Sequence, residues 1–318
     1  MGRIDLIVLG EYIIDFTTAG KNDDGLPMYI QNPGGAPTNV ACAASELGTK
    51  TAVITKLSND EFGEFLFNYI KNLNMVDLRG IVRSDDPTGI AFALLNDEGE
   101  RSFRFYRHSC ADSLLSEEDI SSELLNECKV LHFSSVSLAS EVSRKATMYA
   151  VKKAKELGKI VSFDINYRPL LWNKNDDARV YVNEALKYAD VVKVSEEEAE
   201  YFGDKDVDKA AKALNKNNAL VIITFGSKGS MFFKGDIKGN VDSYKIVTKD
   251  TTGAGDNFVG ALLTKLIEYN KFPNELEENE IIEILKFANA AGAINASKMG
   301  AINGRARISE INELINYE

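Results

Sequence analysis

Residues 250–258 read Asp-Thr-Thr-Gly-Ala-Gly-Asp-Asn-Phe, and this stretch decides the fold. It follows a strand-like run at 244–247 and precedes an apolar repeat at one-helical-face spacing that begins at Phe258. Small residues before a helix leave its unpaired backbone N–H groups open to a ligand, and the helix dipole adds about half a positive charge there. The stretch therefore predicts an anion hole formed by Gly253, Ala254 and Gly255.

Asp256 lies one residue inside this anion hole. A carboxylate beside a transferring phosphoryl group is poorly placed to bind anions but well placed to accept a hydroxyl proton, as a general base does in phosphoryl transfer to an alcohol. The alternative is that Asp256 only caps the helix and complements its dipole. Two nucleotide motifs are excluded, because a dinucleotide fingerprint needs a third glycine where Phe258 stands and no Gly-x4-Gly-Lys-Ser/Thr string occurs.

Composition limits the class of protein further. The 318 residues are 44% hydrophobic and 27% charged, which predicts a soluble globular protein of one large α/β domain or two domains. The net charge of -11 disfavours nucleic acid and acidic membranes as partners. The early apolar run, 6–9, is too short for a signal peptide or a membrane span. Two histidines and three widely spaced cysteines disfavour an imidazole or thiolate metal site and predict a cytoplasmic location.

From about residue 130, short β-branched runs alternate with helical patterns. This order predicts right-handed crossovers and a mostly parallel sheet covered on both faces. Because no linker or repeat interrupts the chain, we expect a single domain over 1–318. The predicted strands are 130–133, 160–164, 191–194 and 220–224, with a hairpin over 230–248, and the predicted helices are 141–157, 176–188, one beginning near Gly255, and 279–297.

Two early segments, about 12–32 and 88–108, predict a small β appendage. The second holds strands at 89–95 and 101–107, joined by a turn at 97–100. In the later strand Phe103, Phe105 and Arg107 share one face, and neither face is clearly a core face. This sheet is therefore expected to meet solvent, a ligand or another subunit.

The stretch 250–258 resembles the second signature of the ribokinase-like carbohydrate kinases, also called the phosphofructokinase B family. The segment Gly-Gly-Ala-Pro-Thr-Asn-Val-Ala at 34–41 resembles the first signature of that family, and the two stand in the expected order. The resemblance covers essentially the whole chain. It implies a three-layer α/β/α sandwich with a mostly parallel central sheet and a small β-sheet lid.

Within the family, the strings 105–112 and 162–172 are similar to segments of fructokinases. This likeness implies a phosphotransferase with an alcohol acceptor that converts fructose to fructose 6-phosphate with ATP. Three departures, at His108, Ser109 and Ile165, leave other acceptors open. The alternatives are a 2-keto-3-deoxygluconate kinase, a ribokinase or a nucleoside kinase of the same family, and a sugar sensor that binds without turnover.

The resemblance also implies which residues bind the sugar. A carboxylate can accept hydrogen bonds from adjacent hydroxyls, an amide both donates and accepts, and arginines can orient the substrate or offset phosphate charge. The implied sugar-binding residues are Asp15, Gly34, Gly35, Asn39, Arg104, Arg107 and Arg168. Asp256 is the implied base, and the lid, which often pairs between subunits in this family, would form a homodimer.

Further implied residues serve the nucleotide and the cations. The ATP groove would be lined by Thr224, Gly226, Ser227, Gly229 and Asn289. Ser195 and Glu198 match a motif that organises magnesium and phosphate, with Ser195 in place of an asparagine and Glu198 acting indirectly on Mg²⁺. A potassium ion beside the anion hole would be held by side-chain or backbone oxygens near Asp250, Thr252, Asn295, Lys298, Gly300 and Gly304.

Overall fold

The computed structural model describes residues 4–95, 101–174 and 176–317. Its strands are β1 (Leu6–Leu9), β2 (Ile13–Lys21), β3 (Pro27–Gly34), β4 (Thr51–Ser58), β5 (Val76–Asp77), β6 (Ile81–Ser84), β7 (Ile90–Leu95), β8 (Arg101–Tyr106), β9 (Val130–Ser134), β10 (Ile160–Asp164), β11 (Val191–Ser195), β12 (Leu220–Thr224), β13 (Ser230–Lys234) and β14 (Ile237–Val241). Its α-helices are α1 (Ala36–Glu46), α2 (Glu61–Leu73), α3 (Ser122–Glu127), α4 (Glu141–Glu156), α5 (Ala178–Leu186), α6 (Glu196–Phe202), α7 (Val207–Leu214), α8 (Ala254–Tyr269), α9 (Glu278–Ala296) and α10 (Ile308–Tyr317).

Ten strands form the central sheet in the order β14-β13-β12-β11-β10-β9-β1-β4-β5, with β6 also paired to β4. Neighbours pair in parallel from β12 across to β5, and the β12-β13-β14 end is antiparallel. Parallel strands need crossover connections, which the intervening helices supply. Because ligands of such sheets bind outside the carboxyl ends of the strands, the residues at those ends of β10 and β11 are candidates for the site.

The central sheet is covered on both faces because the side chains of its strands alternate. Leu6 and Val8 of β1 pack on one side with α1, α2, α8, α9 and α10. Ile7 and Leu9 pack on the other side with α3, α4, α5, α6 and α7. This arrangement confirms the predicted three-layer sandwich. No helix in the described part of the chain is both long and apolar enough to cross a membrane.

A separate four-stranded sheet, ordered β3-β2-β7-β8, forms from the two early segments. Phe16 of β2 contacts Phe62 of α2 edge-on, with ring centroids 6.0 Å apart, and this contact joins the small sheet to the core. The turn predicted at 97–100 lies outside the described residues. The prediction of a separate small β-sheet is confirmed.

One predicted strand is wrong. Residues 242–248 have no regular secondary structure, although 244–247 has a strand-like sequence. The last strand before them, β14, ends at Val241 and forms the edge of the central sheet, and the sheet does not extend to residues 242–248 despite their strand propensity. The segment instead runs along a cavity at the start of α8.

Candidate active site

Helix α8 begins at Ala254, directly after Gly253 and one residue before the predicted start near Gly255. Gly253 has a φ of 82°, and a Cβ there would lie 2.3 Å from the Cβ of Ala301, so the position requires glycine. Asp250 holds the preceding turn: its Oδ1 accepts a hydrogen bond from the Thr252 N–H at 2.9 Å and its Oδ2 from the Gly300 N–H at 3.0 Å. The first N–H groups of α8 have no partner within the helix and are thereby open to an anion, as the predicted anion hole requires.

Asp256 lies in the first turn of α8 and is fixed by Asn39 of α1. The Asn39 Nδ2 donates a 2.8 Å hydrogen bond to Oδ2 of Asp256. Burial raises the pKa of Asp256 to about 6; the Asn39 bond opposes the rise, and the nearby Asp164 carboxylate adds to it. The carboxylate is therefore ionised near neutral pH yet more basic than an exposed aspartate, as a general base requires.

An acceptor cavity of about 490 Å³ opens above Asp256. Most of the predicted sugar-binding and anion-hole residues line it: Asp15, Gly35, Asn39, Arg107, Arg168, Gly253, Gly255 and Asp256. Gly34 supports this wall, since a Cβ there would lie 2.1 Å from Oδ2 of Asp15. Burial, together with the Asp256 carboxylate, raises the pKa of Asp15 to about 7, and Arg168 opposes the rise.

Sequence reasoning missed a buried ion pair in this cavity. Lys193 of β11 lies opposite Asp164 of β10, and its Nζ is 3.2 Å from both carboxylate oxygens. The same Nζ is 3.5 Å from the position a Cβ on Gly255 would occupy, so it reaches the anion hole. The available signal was a lysine inside the otherwise apolar, buried run Val-Val-Lys-Val of β11, since buried charges are normally paired or functional.

A second cavity of about 590 Å³, the donor cavity, lies on the other side of the α8 N-terminus. It is lined by all the predicted ATP-groove residues, by Ala254, and by part of the 244–247 segment. Asn289 shapes one wall, because its Nδ2 donates to the backbone oxygens of Val241 at 3.0 Å and Asp242 at 3.2 Å. Thr251 and Gly255 line both cavities, so the two cavities meet at the start of α8.

Arg104 is not brought to the site with the other predicted sugar-binding residues. Phe103 and Phe105 line or flank the acceptor cavity, and Arg104 projects from the opposite face of β8 because side chains alternate along a strand. It is exposed and pairs in register with Phe92. The sequence left open which face of β8 meets the ligand, and in the structure the face with Phe103 and Phe105 lines the acceptor cavity.

Ser195 and Glu198 lie in the acceptor cavity rather than the donor cavity. They form a capping box at the start of α6, in which Ser195 Oγ accepts from the Glu198 N–H and Glu198 Oε2 accepts from the Ser195 N–H at 2.8 Å. Oε1 of Glu198 accepts from the Tyr167 N–H at 2.6 Å. With both oxygens engaged, Glu198 fits an indirect role toward Mg²⁺ through waters, and the described residues contain no group of three or more acidic, His or Cys side chains able to hold a metal directly.

The residues predicted for potassium surround one loop. Asn295 is fully buried, and its Nδ2 donates to the carbonyls of Gly300 at 3.3 Å and Ala301 at 3.2 Å. Among the described residues, no hydrogen-bond partner is found for its Oδ1. The Lys298 side chain points to Glu310, with Nζ 2.7 Å from Oε1, while Gly304 donates its N–H to the Gly300 carbonyl at 2.9 Å. A buried carbonyl oxygen of this kind fits a hard cation.

Comparison with known proteins agrees with this arrangement of two cavities around a carboxylate and an anion hole. The model of the pfkB family carbohydrate kinases matches residues 3–307. The chain belongs to this family, whose members transfer a phosphoryl group to a sugar.

Within the family, the chain is similar to fructokinases. It is 40% identical to Fructokinase-1 of Zea mays over 99% of this chain and 98% of the relative. The crystal structure of fructokinase with bound ATP from Xylella fastidiosa superposes with a TM-score of 0.91, at 31% identity, over 98% of both chains. Fructokinase from Vibrio cholerae O395, solved with fructose, ADP and calcium, gives 0.87 at 30% identity over 98% of this chain and 99% of that one. The protein is accordingly a carbohydrate kinase of the pfkB family that is similar to fructokinases over nearly its whole length.

Proposed function

We propose that this chain phosphorylates fructose to fructose 6-phosphate with ATP as the donor. The observation that carries the proposal is the position of Asp256. This residue lies in the first turn of α8, lines the acceptor cavity, and is next to Gly255, which lines both cavities. The acceptor wall offers carboxylates, an amide and arginines, which suit a neutral polyol. The named fructokinase relatives, one of them solved with fructose and ADP, support the same substrate.

The chemistry follows from the residues at the start of α8. Asp256 takes the proton of the acceptor hydroxyl while that oxygen bonds to the γ-phosphorus, and the bond from the γ-phosphorus to the oxygen of the leaving ADP breaks. The N–H groups of 253–255 and the ammonium of Lys193 stabilise charge on the transferring group. Mg²⁺, held by waters near Glu198, would neutralise phosphate charge.

We also propose that K⁺ binds the loop around Asp250 and Asn295. The described residues offer no hydrogen-bond partner to Oδ1 of the buried Asn295, and the carboxylate of Asp250 holds both Thr252 and Gly300; these two observations support the site. A cation there would neutralise the negative oxygens behind the anion hole and fix the turn before α8.

We propose that the chain is a single domain over 1–318. In it the small sheet acts as a lid and forms the interface of a homodimer. It carries exposed apolar side chains, including Ile30 and Tyr106 at 54% and 65% exposure, and a second copy of the chain would cover them. Light scattering should give a dimer mass, and Ile30→Lys should shift it toward the monomer. The buried thiols of Cys42 and Cys110 support a reducing cytoplasmic location.

The test is ADP release by the purified chain with ATP and Mg²⁺ against fructose, ribose, 2-keto-3-deoxygluconate and adenosine, each with and without K⁺. Fructose-selective turnover, enhanced by K⁺, is expected. Preference for another acceptor would reject fructose while retaining the kinase. The absence of turnover with every acceptor, together with sugar binding, would favour the sensor that binds without catalysis.

A further inference from the structure

Glu11, Arg107 and Asp112 form a buried charged cluster, of which Glu11 and Arg107 line the acceptor cavity. Their exposed fractions are 4%, 7% and 4%. Glu11 precedes β2, and Arg107 follows β8, so the cluster lies where two strands of the small sheet join the core. Arg107 is fixed on two sides, because its Nε pairs with Asp112 and its Nη1 donates to the Val136 carbonyl at 3.3 Å.

Glu11 holds the start of the sugar-binding helix α1. Its Oε1 accepts a hydrogen bond from the Ala36 N–H at 3.1 Å. The backbone oxygen of Glu11 lies 2.3 Å from the position that a Cβ on Gly35 would occupy, so Glu11 also packs closely against Gly35. Asn39, which holds the Asp256 carboxylate, lies one helical turn further along α1. Glu11 is thus linked to the acceptor site through backbone and side chain.

Three polar atoms of the cluster lack partners among the described residues. Within the described residues, Oε2 of Glu11, Nη2 of Arg107 and Oδ1 of Asp112 are buried and make no hydrogen bond, and of these three residues Glu11 and Arg107 line the acceptor cavity. A buried unpaired polar atom costs stability, so two of them at the edge of a substrate cavity indicate groups kept for a ligand. Burial also raises the pKa of Glu11 to about 7, with Arg107 opposing the rise and Asp112 adding to it.

We propose that Glu11 is a sugar-binding residue whose Oε2, together with Nη2 of Arg107, recognises one hydroxyl of the acceptor. A hydroxyl can donate to the carboxylate and accept from the guanidinium at once, which matches the unpartnered acceptor of Glu11 and the unpartnered donor of Arg107. This inference rests on the proposed function, because the cavity must hold the sugar. It adds to the site a carboxylate distinct from the base Asp256 and from Asp15.

The test combines the variant Glu11→Gln with a series of monodeoxyfructoses. The amide of Gln retains an oxygen for the Ala36 N–H but replaces the other carboxylate oxygen with a donor. We expect kcat/KM for fructose to fall about tenfold or more, as for the loss of a hydrogen bond to a charged group. For the one analogue that lacks the recognised hydroxyl, wild type and variant should have equal kcat/KM within a factor of two.

The matched control is Glu141→Gln, the same chemical change at an exposed residue that pairs with Lys145 at the start of α4. It should leave every analogue unaffected. An equal penalty for Glu11→Gln across all analogues would overturn the proposal, because a purely structural role acts on every substrate alike. If Glu11→Gln fails to fold, Arg107→Lys is tested in its place. This variant should no longer prefer fructose over the analogue that lacks the recognised hydroxyl, and a preference as large as that of the wild type would also overturn the proposal. Wild type inactive on fructose would instead refute the proposed function.

Discussion

Replacing Asp256 with Asn should lower turnover and raise stability together. The variant keeps the shape of the side chain and an oxygen for the 2.8 Å hydrogen bond from Asn39, but it removes the group that accepts the hydroxyl proton. General-base catalysis contributes about 10²–10⁴-fold, so kcat should fall by that factor, which corresponds to about 3–5 kcal/mol of transition-state stabilisation. Affinity for the acceptor should change little.

The stability gain follows from the pKa of Asp256, which burial raises from 3.8 to about 6. Because the folded state binds this proton more tightly than the unfolded state, folding is favoured below pH 3.8, and that advantage is lost as the pH rises toward 6. Above pH 6 the ionised carboxylate destabilises the fold. The pKa difference corresponds to about 3 kcal/mol, which solvent around the half-buried group reduces to about 1–2 kcal/mol. At pH 8, Tm of Asp256→Asn should rise by about 2–5 °C.

The assays are steady-state ADP release, fructose binding by calorimetry, and thermal unfolding at pH 8 and pH 4. The stabilisation should shrink at pH 4, where the wild-type carboxyl is largely protonated. Turnover within tenfold of wild type would refute the role of Asp256 as the general base. A fall in Tm at pH 8 would contradict the assigned burial of the carboxylate.

Three further substitutions test other parts of the site. Gly34→Ala places a Cβ 2.1 Å from Oδ2 of Asp15. In steady-state kinetics the KM for fructose should therefore rise about a hundredfold, while the KM for ATP stays within threefold. Equal rises in the two KM values would argue against a role of Gly34 on the sugar side. Lys193→Met removes the partner of the buried Asp164 and should reduce the free energy of unfolding, measured by urea titration, by about 3–5 kcal/mol. It should also reduce kcat. An unchanged urea midpoint would contradict the buried ion pair. Asn295→Ala should raise the K⁺ concentration for half-maximal rate about tenfold, and a rate already independent of K⁺ in the wild type would remove that site.

Much of the fold was predictable because its signals are local. The predicted strands 160–164 and 220–224 match β10 and β12 residue for residue. Short apolar, β-branched runs bounded by turn formers predict a strand from the local sequence alone. Helix α8 was equally clear from its apolar face. The segment 244–247 has the same strand propensity, but whether a strand forms depends on a neighbour that the local sequence does not contain.

The site was predictable where one segment carries it and unpredictable where strand pairing assembles it. The anion hole and Asp256 lie in nine consecutive residues. Lys193 and Asp164 are adjacent only because β10 and β11 pair in parallel with these two residues in register. The side chain of Arg104 could be placed only once the strand showed which face met the cavity.

The two cavities share their boundary, the start of α8, and almost nothing else. The walls of the acceptor cavity come from α1, the small sheet and the carboxyl ends of β10 and β11, whereas those of the donor cavity come from β12, the 242–248 segment and α9. Substitutions that reshape one wall therefore leave the other intact. Such a chain can acquire a new acceptor during evolution while its nucleotide machinery is inherited unchanged.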